Sequence, residues 1–266
     1  MLTFTASKFG PYNKLFDFFI VELCLIKTSK MENKETVLVT GGSGFIASYC
    51  MITLLKNGFK VRATLRSLHK SELVKQMLKE GGINSFENLA FVEADLQNER
   101  SWKKAVEGCQ YVIHVASPTP NTDAKTEDDF VVPAKNGVLF VLRAAKKAGV
   151  KRVVLTSAFG AVGMGTTKTT PYTEEDWTVI NETVAPYQRS KTISEQAAWD
   201  FIKNEGAGME LSVVNPTGVL GPVLADDYSH SIQTIKQMLN GEVSGCPKMS
   251  FGYVDVRDVA DCILRQ

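Results

Sequence analysis

The chain has 266 residues, 30 Lys and Arg against 29 Asp and Glu, and 44% hydrophobic residues, enough for one globular core with a smaller appendage. Near-neutral charge with dispersed basic residues leaves no footprint for nucleic acid or an anionic membrane surface. Cys24, Cys50, Cys109, Cys246 and Cys262 are odd in number and widely spaced, lack a CxxC pair and have only His69, His114 and His230 beside them, which argues against a disulfide scaffold or a metal site. Free thiols in a reducing cytoplasm are expected.

Residues 1–30 differ in character from the rest of the chain. Leu15 to Ile26 is apolar but carries Asp17 and Glu22, is shorter than the roughly 20 residues that span a bilayer, and has no small-residue cleavage site. No membrane span or secretory signal is expected. This segment reads as an upstream extension that adds no chemistry, with the fold starting at Met31.

From Thr36 the sequence reads as an apolar strand ending at Thr40, then the turn TGGSGFIA from Thr40 to Ala47, then a helical pattern. Strand, glycine turn and helix together form a seat for a dinucleotide. Gly41 permits the tight turn, Gly44 lets backbone approach a pyrophosphate, Ala47 allows close helix packing, and the helix start at Phe45 and Ile46 directs N–H groups at phosphate. The spacing is GxxGxxA rather than the common GxGxxG. A second strand, Lys60 to Arg66, delivers its end to the ribose of such a ligand. Arg66 stands there where an acidic residue would accept from a free 2′-hydroxyl, and with Lys70 it favours a 2′-phosphate, hence NADPH over NADH. The alternative reading of Arg66 is a solvated surface arginine.

A helix around Lys70 to Lys79, a strand at Leu89 to Asp95, a helix through Trp102 and Val106, a strand at Tyr111 to Ala116, a long helix from Phe130 to Ala145 and a strand at Lys151 to Ser157 come next. This alternation predicts an α/β fold with a doubly wound parallel sheet. Asn136 is read as cleft lining or, more simply, as part of a solvated helix face. A further helix runs from Tyr187, with Ile193, Ala197, Ala198 and Phe201 as its apolar stripe. Residues four apart share a helix face, so Lys191 lies beneath the Tyr187 phenol, where its charge is expected to lower the phenol pKa from about 10. Such a tyrosine can give a proton to a carbonyl oxygen as hydride reaches carbon. Past Asn215 the character shifts to a loop and a helix through Ile235 and Met238.

These segments together carry a resemblance. TGGSGFIA, the strand end at Arg66, AlaAspLeu at Ala94 to Leu96, HisValAlaSerPro at His114 to Pro118, TyrGlnArgSerLys at Tyr187 to Lys191, AsnProThrGlyValLeuGlyPro at Asn215 to Pro222 and TyrValAspValArgAspValAla at Tyr253 to Ala260 resemble an extended short-chain dehydrogenase/reductase. Within that superfamily the chain is most similar to NADPH-dependent aldehyde and carbonyl reductases of the dihydroflavonol reductase and methylglyoxal reductase type, over residues 31–266. The resemblance implies a Rossmann domain over 31–215 and a substrate domain from 216 to 266 that is truncated, with a segment near 251–260 returning to the Rossmann part. It implies that Asp95 and Leu96 border the adenine, that Val115, Ala116 and Ser117 lie beside the phosphates and nicotinamide ribose, that Lys191 hydrogen-bonds that ribose, and that Pro216, Thr217 and Val219 cover the carboxamide. Asp95 is equally read as the cap of a helix starting near Asn98, and Pro216 as a strand terminator.

One position departs from the family pattern. Where relatives place a Ser or Thr whose hydroxyl holds the substrate oxygen, this chain has Ala158 in LeuThrSerAlaPheGly. Ser157 is the catalytic candidate here, either presented by a local bend or replaced by Thr156 or by Tyr187 and water, with turnover expected to be weakened. The expected activity is reduction of a small-molecule aldehyde or ketone to an alcohol by a monomer or homodimer. A nucleotide-sugar epimerase or dehydratase is the second reading, opposed by Arg66. A catalytically silent NADP-binding regulator is the third, favoured by Ala158 and opposed by the retained Tyr187 and Lys191.

Overall fold

A computed structural model describes residues 35–118, 128–165, 168–226, 229–243, 245 and 251–266. The expectations for residues 1–30, the start at Met31, and Cys24 and Cys246 lie outside the described residues. Six parallel strands form the main sheet: β1 (Thr36–Val39), β2 (Lys60–Leu65), β3 (Leu89–Glu93), β4 (Tyr111–His114), β5 (Arg152–Thr156) and β6 (Glu210–Val214), in the order β3-β2-β1-β4-β5-β6. This is the doubly wound Rossmann order, and the sequence reverses direction between β1 and β4. A ligand crevice therefore opens beyond the carboxyl ends of those two strands.

The strands read as nearly unbroken apolar runs because helices cover both sheet faces. Side chains alternate between those faces. Val37, Val39, Ile113 and Val154 pack on one side with α1 (Phe45–Lys56), α2 (Ser71–Glu80) and, at the chain's end, α7 (Val256–Leu264). Leu38, Val112, Val153 and Leu155 pack on the other with α3 (Ser101–Val106), α4 (Asp128–Lys147) and α5 (Pro186–Glu205). The stripe expected for α5 is buried at Ala197, Ala198 and Phe201. Asn136 is exposed on α4, so its solvated reading holds.

Beyond β6, two short parallel strands, β7 (Gly218–Leu220) and β8 (Tyr253–Asp255), pair with each other and, among the described residues, with no other strand, and α6 (His230–Leu239) lies between them in the chain. β8 leads straight into α7, whose start is capped by Asp255: its Oδ1 accepts from the Arg257 N–H at 2.8 Å. Val256, Val259, Ala260 and Ile263 then bury against the α1 side of the main core. Full burial is worth about 1.5–3 kcal/mol for each Val or Ile. α7 thus packs on the same core as α1, while β8 stays out of the six-stranded sheet.

Candidate active site

The crevice at the strand ends is a cleft of about 530 Å³, within the range of small-molecule and cofactor sites. At its floor Gly41 has φ of +69°, in the left-handed region, and a Cβ there would lie 3.1 Å from the Ala116 Cα. Gly42 has a second constraint: its Cβ would stand 2.9 Å from the Ala63 Cβ, so the turn can press against β2 only with glycine there. Gly44 is the N-cap of α1, no side chain caps it, and the first turn holds no acidic residue. The first N–H groups of α1, at Phe45 and Ile46, are left for a ligand anion, where the helix dipole also favours negative charge.

At one end of the cleft, Arg66 and Lys70 are exposed and, among the described residues, neither side chain is held in an ion pair. Asp95 does not cap a helix. Its Oδ1 accepts from the Gln97 N–H at 2.9 Å in a local turn, and α3 begins only at Ser101, whose Oγ accepts from the Asp95 N–H at 3.1 Å. Asp95 and Leu96 both line the cleft.

In the middle, the loop of Val115, Ala116 and Ser117 is fixed by groups that motif reasoning passed over. The Ala116 N–H donates to Thr40 Oγ1 at 2.9 Å, and the same oxygen lies 2.8 Å from His114 Nδ1. His114 is 1% exposed; burial, reinforced by the Lys191 charge, brings its pKa down to about 3, so the ring is neutral. HisValAlaSerPro marks the position, but only the pairing of β1 with β4 gives the histidine this task.

At the other end Tyr187 and Lys191 share one face of α5, with Pro186 pre-setting the first helical turn. The Lys191 Nζ lies 5.9 Å from the Tyr187 ring centroid. The expectation that this charge lowers the phenol pKa is corrected. Burial pushes Tyr187 above its usual value, although 42% of the residue remains accessible, and burial outweighs the Glu195 carboxylate to bring Lys191 down to about 8. The lysine stands over the ring face and, among the described residues, no hydrogen bond joins it to the phenol, so desolvation decides the direction.

The strand end beside them is tied to the loop after β6. The Ser157 N–H donates to the Val214 O, the Phe159 N–H to the Pro216 O (both 2.9 Å), and Asn215 Nδ2 donates to the Ala158 O at 3.2 Å and to Glu195 Oε2 at 2.7 Å. Ser157 is buried with its Oγ unpartnered among the described residues, while Ala158 is half-buried, and both border the cleft. Pro216, Thr217 and Val219 line the same wall. The residues read from the sequence as catalytic or cofactor-binding candidates, from Gly41 to Val219, therefore border this one cleft, whereas Asn136 does not. Sequence reasoning missed Thr64, which accepts from the Gly41 N–H at 3.0 Å, and the Glu195 and Asn215 pair. Glu195 carried a signal, since it continues the four-residue spacing of Tyr187 and Lys191.

Known proteins share the sequence and fold of this chain over most of its length. The chain is 37% identical over 231 residues to cinnamoyl-CoA reductase 1 of Arabidopsis thaliana, covering 85% of this chain and 64% of that protein. It is 35% identical over 211 residues to dihydroflavonol 4-reductase of Arabidopsis thaliana, covering 77% and 54%. It thus spans between about half and two thirds of these relatives' length. Among solved structures, yeast methylglyoxal/isovaleraldehyde reductase Gre2 complexed with NADPH superposes with a TM-score of 0.74 at 30% identity, covering 86% of this chain and 73% of that one. Among the described residues no group of His, Cys, Asp and Glu is placed to hold a metal ion, and no helix is long and apolar enough to cross a membrane. Residues 37–266 match the NAD dependent epimerase/dehydratase family, and the chain belongs to that family.

Proposed function

We propose that this protein reduces an aldehyde or ketone of small size to the alcohol, using NADPH. The observation that carries the reading is the placement, in one cleft, of an uncapped helix start behind a glycine turn, two cations just after β2 that are in no ion pair among the described residues, and Tyr187 with Lys191 at the opposite end. Reductases among the relatives, and the NADPH complex of the structural neighbour, support it.

The residues present fit the cofactor. The Gly41–Ile46 turn would take the pyrophosphate, Arg66 and Lys70 the 2′-phosphate, Asp95 and Leu96 the adenine side, Val115 to Ser117 and Lys191 the nicotinamide ribose, and Pro216, Thr217 and Val219 the carboxamide. When bound, NADPH supplies the hydride. Tyr187, kept protonated by burial, donates the phenol proton to the carbonyl oxygen, and the Lys191 ammonium stabilises the phenolate that remains. A raised phenol pKa keeps the proton available for reduction at neutral pH. Ser157, immediately after β5, is the hydroxyl that precedes the position Ala158 leaves without one. The free thiols of Cys50, Cys109 and Cys262 fit a reducing cytoplasm, and the working unit is a monomer or homodimer.

Ala158 supports one competing reading, an NADP-binding regulator without turnover. One assay separates them: NADPH absorbance is followed with a panel of small aldehydes, diketones and flavonoid ketones, for the native chain and Tyr187→Phe. Turnover that falls at least a hundredfold in Tyr187→Phe while NADPH still binds supports the reductase. Cofactor binding with no turnover across the panel supports the regulator, and recycling of cofactor with a nucleotide sugar supports an epimerase.

A further inference from the structure

Beside Lys191 the cleft continues into a small recess of about 20 Å³ between β5, α4 and α5, which shares Thr156, Ser157 and Lys191 with the cleft lining. Its polar lining includes Ser157, Lys191, Ser194 and Glu195, and Ala134 and Val138 of α4 form an apolar wall. One water fits that space, and a buried water needs two to four polar partners. Ser157 Oγ is buried and unpartnered among the described residues. Ser194 Oγ donates its proton to the Ser190 O at 2.6 Å and keeps its lone pairs. Glu195 is 5% exposed, a costly place for a carboxylate, and one of its oxygens is fixed by Asn215 at 2.7 Å. Tyr187, Lys191 and Glu195 succeed one another at single-turn spacing along α5.

We propose that Glu195 is a positioning residue for the reductase site: clamped by Asn215, it acts on Lys191 from the recess through a single water held with Ser157, and keeps the lysine charged and directed at the cleft. The proposal rests on the reductase reading for its catalytic meaning, and its geometry stands without it. Among the described residues lining this recess, Glu195 is the one carboxylate. Tyr187 is protonated, His114 on β4 is neutral, the α4 wall is apolar, and the end of β5 and the residue after it present the hydroxyls of Thr156 and Ser157. Burial pushes the lysine toward its neutral form, and Glu195 is the group that opposes it. Ser157 thereby has a use that does not depend on touching substrate.

The test reads the lysine directly. In cofactor-free protein labelled with ¹³C at the lysine ε carbon, the Lys191 signal is assigned by its loss in Lys191→Met and titrated from pH 6 to 11, with thermal unfolding recorded for each variant. The native midpoint is expected near 8. Glu195→Gln should lower it by about one unit or more, the size of a removed opposite charge nearby. Ser157→Ala should lower it by less, and Glu195→Asp should recover part of the shift. The alkaline limb of kcat should move by the same amount as the signal. An unmoved midpoint in folded Glu195→Gln overturns the proposal; should that variant fail to fold, an unmoved midpoint in Ser157→Ala does so. A merely structural Glu195 would change the unfolding temperature and leave the titration in place. Absence of aldehyde turnover in the native chain would sink the reductase reading and leave this titration readable.

Discussion

Replacing Arg66 by Ala tests the cofactor assignment at its most discriminating point. The guanidinium stands at the end of β2 on the cleft rim, exposed and, among the described residues, outside any ion pair, so its removal leaves no buried partner behind. Two unit charges 4 Å apart attract by about 1 kcal/mol in water and about 4 kcal/mol near a protein surface. An exposed rim lies between these limits, and a 2′-phosphate carries close to two charges, so a loss of about 2 kcal/mol is expected. That is roughly a 30-fold weaker NADPH complex. NADH has no 2′-phosphate, and its affinity should change less than twofold. Titrating both cofactors against native and variant protein by fluorescence, at low and at physiological salt, measures the difference. The NADPH loss should shrink at higher salt, because an exposed pair is screened. Equal loss for both cofactors would refute the reasoning by showing that Arg66 supports the fold of the strand end, and no loss for either would return it to the solvated surface.

Ala158→Ser adds one hydroxyl on extended backbone at the cleft wall, and kcat for a responsive aldehyde should rise about tenfold to a hundredfold, with steady-state kinetics as the measure. A fall would mean that the methyl is there to make room for substrate. His114 gives an acid-stability signature: its pKa of about 3 in the fold lies below the ordinary 6.5, so the unfolded chain binds the extra proton between those values. Stability is therefore lost as pH falls through that window, by up to about 1.4 kcal/mol per pH unit, and the contribution should vanish from urea unfolding curves of His114→Gln.

Much of the fold was legible because its determinants are local. Apolar β-rich runs separated by helix-period segments announced the alternating strands and helices, and a glycine turn between strand and helix has few other uses than close approach by a ligand. Tyr187 and Lys191 could be paired from spacing alone, since a helix places residues four apart on one face whatever surrounds it. The pairing of β7 with β8, outside the main sheet, was not legible, because two three-residue strands carry no periodicity of their own. Nor was the link from Thr40 through His114 to the Ala116 backbone, which joins residues 74 and 76 positions apart in sequence.

What the sequence determined by itself is the family, the alternation of strands and helices, and the chemical types at the cleft: glycines at the first turn, cations after the second strand, and a phenol one turn from an amine. Only tertiary structure decided which way the acidities move. A pKa depends on the water taken from a group and on the charges that replace it, and neither can be read along a chain. Helix α5, packed against β5 and α4, takes enough water from Lys191 for desolvation to outweigh the Glu195 charge and raises the half-accessible Tyr187 phenol by the same cause, and it brings Glu195 into the recess beside the lysine.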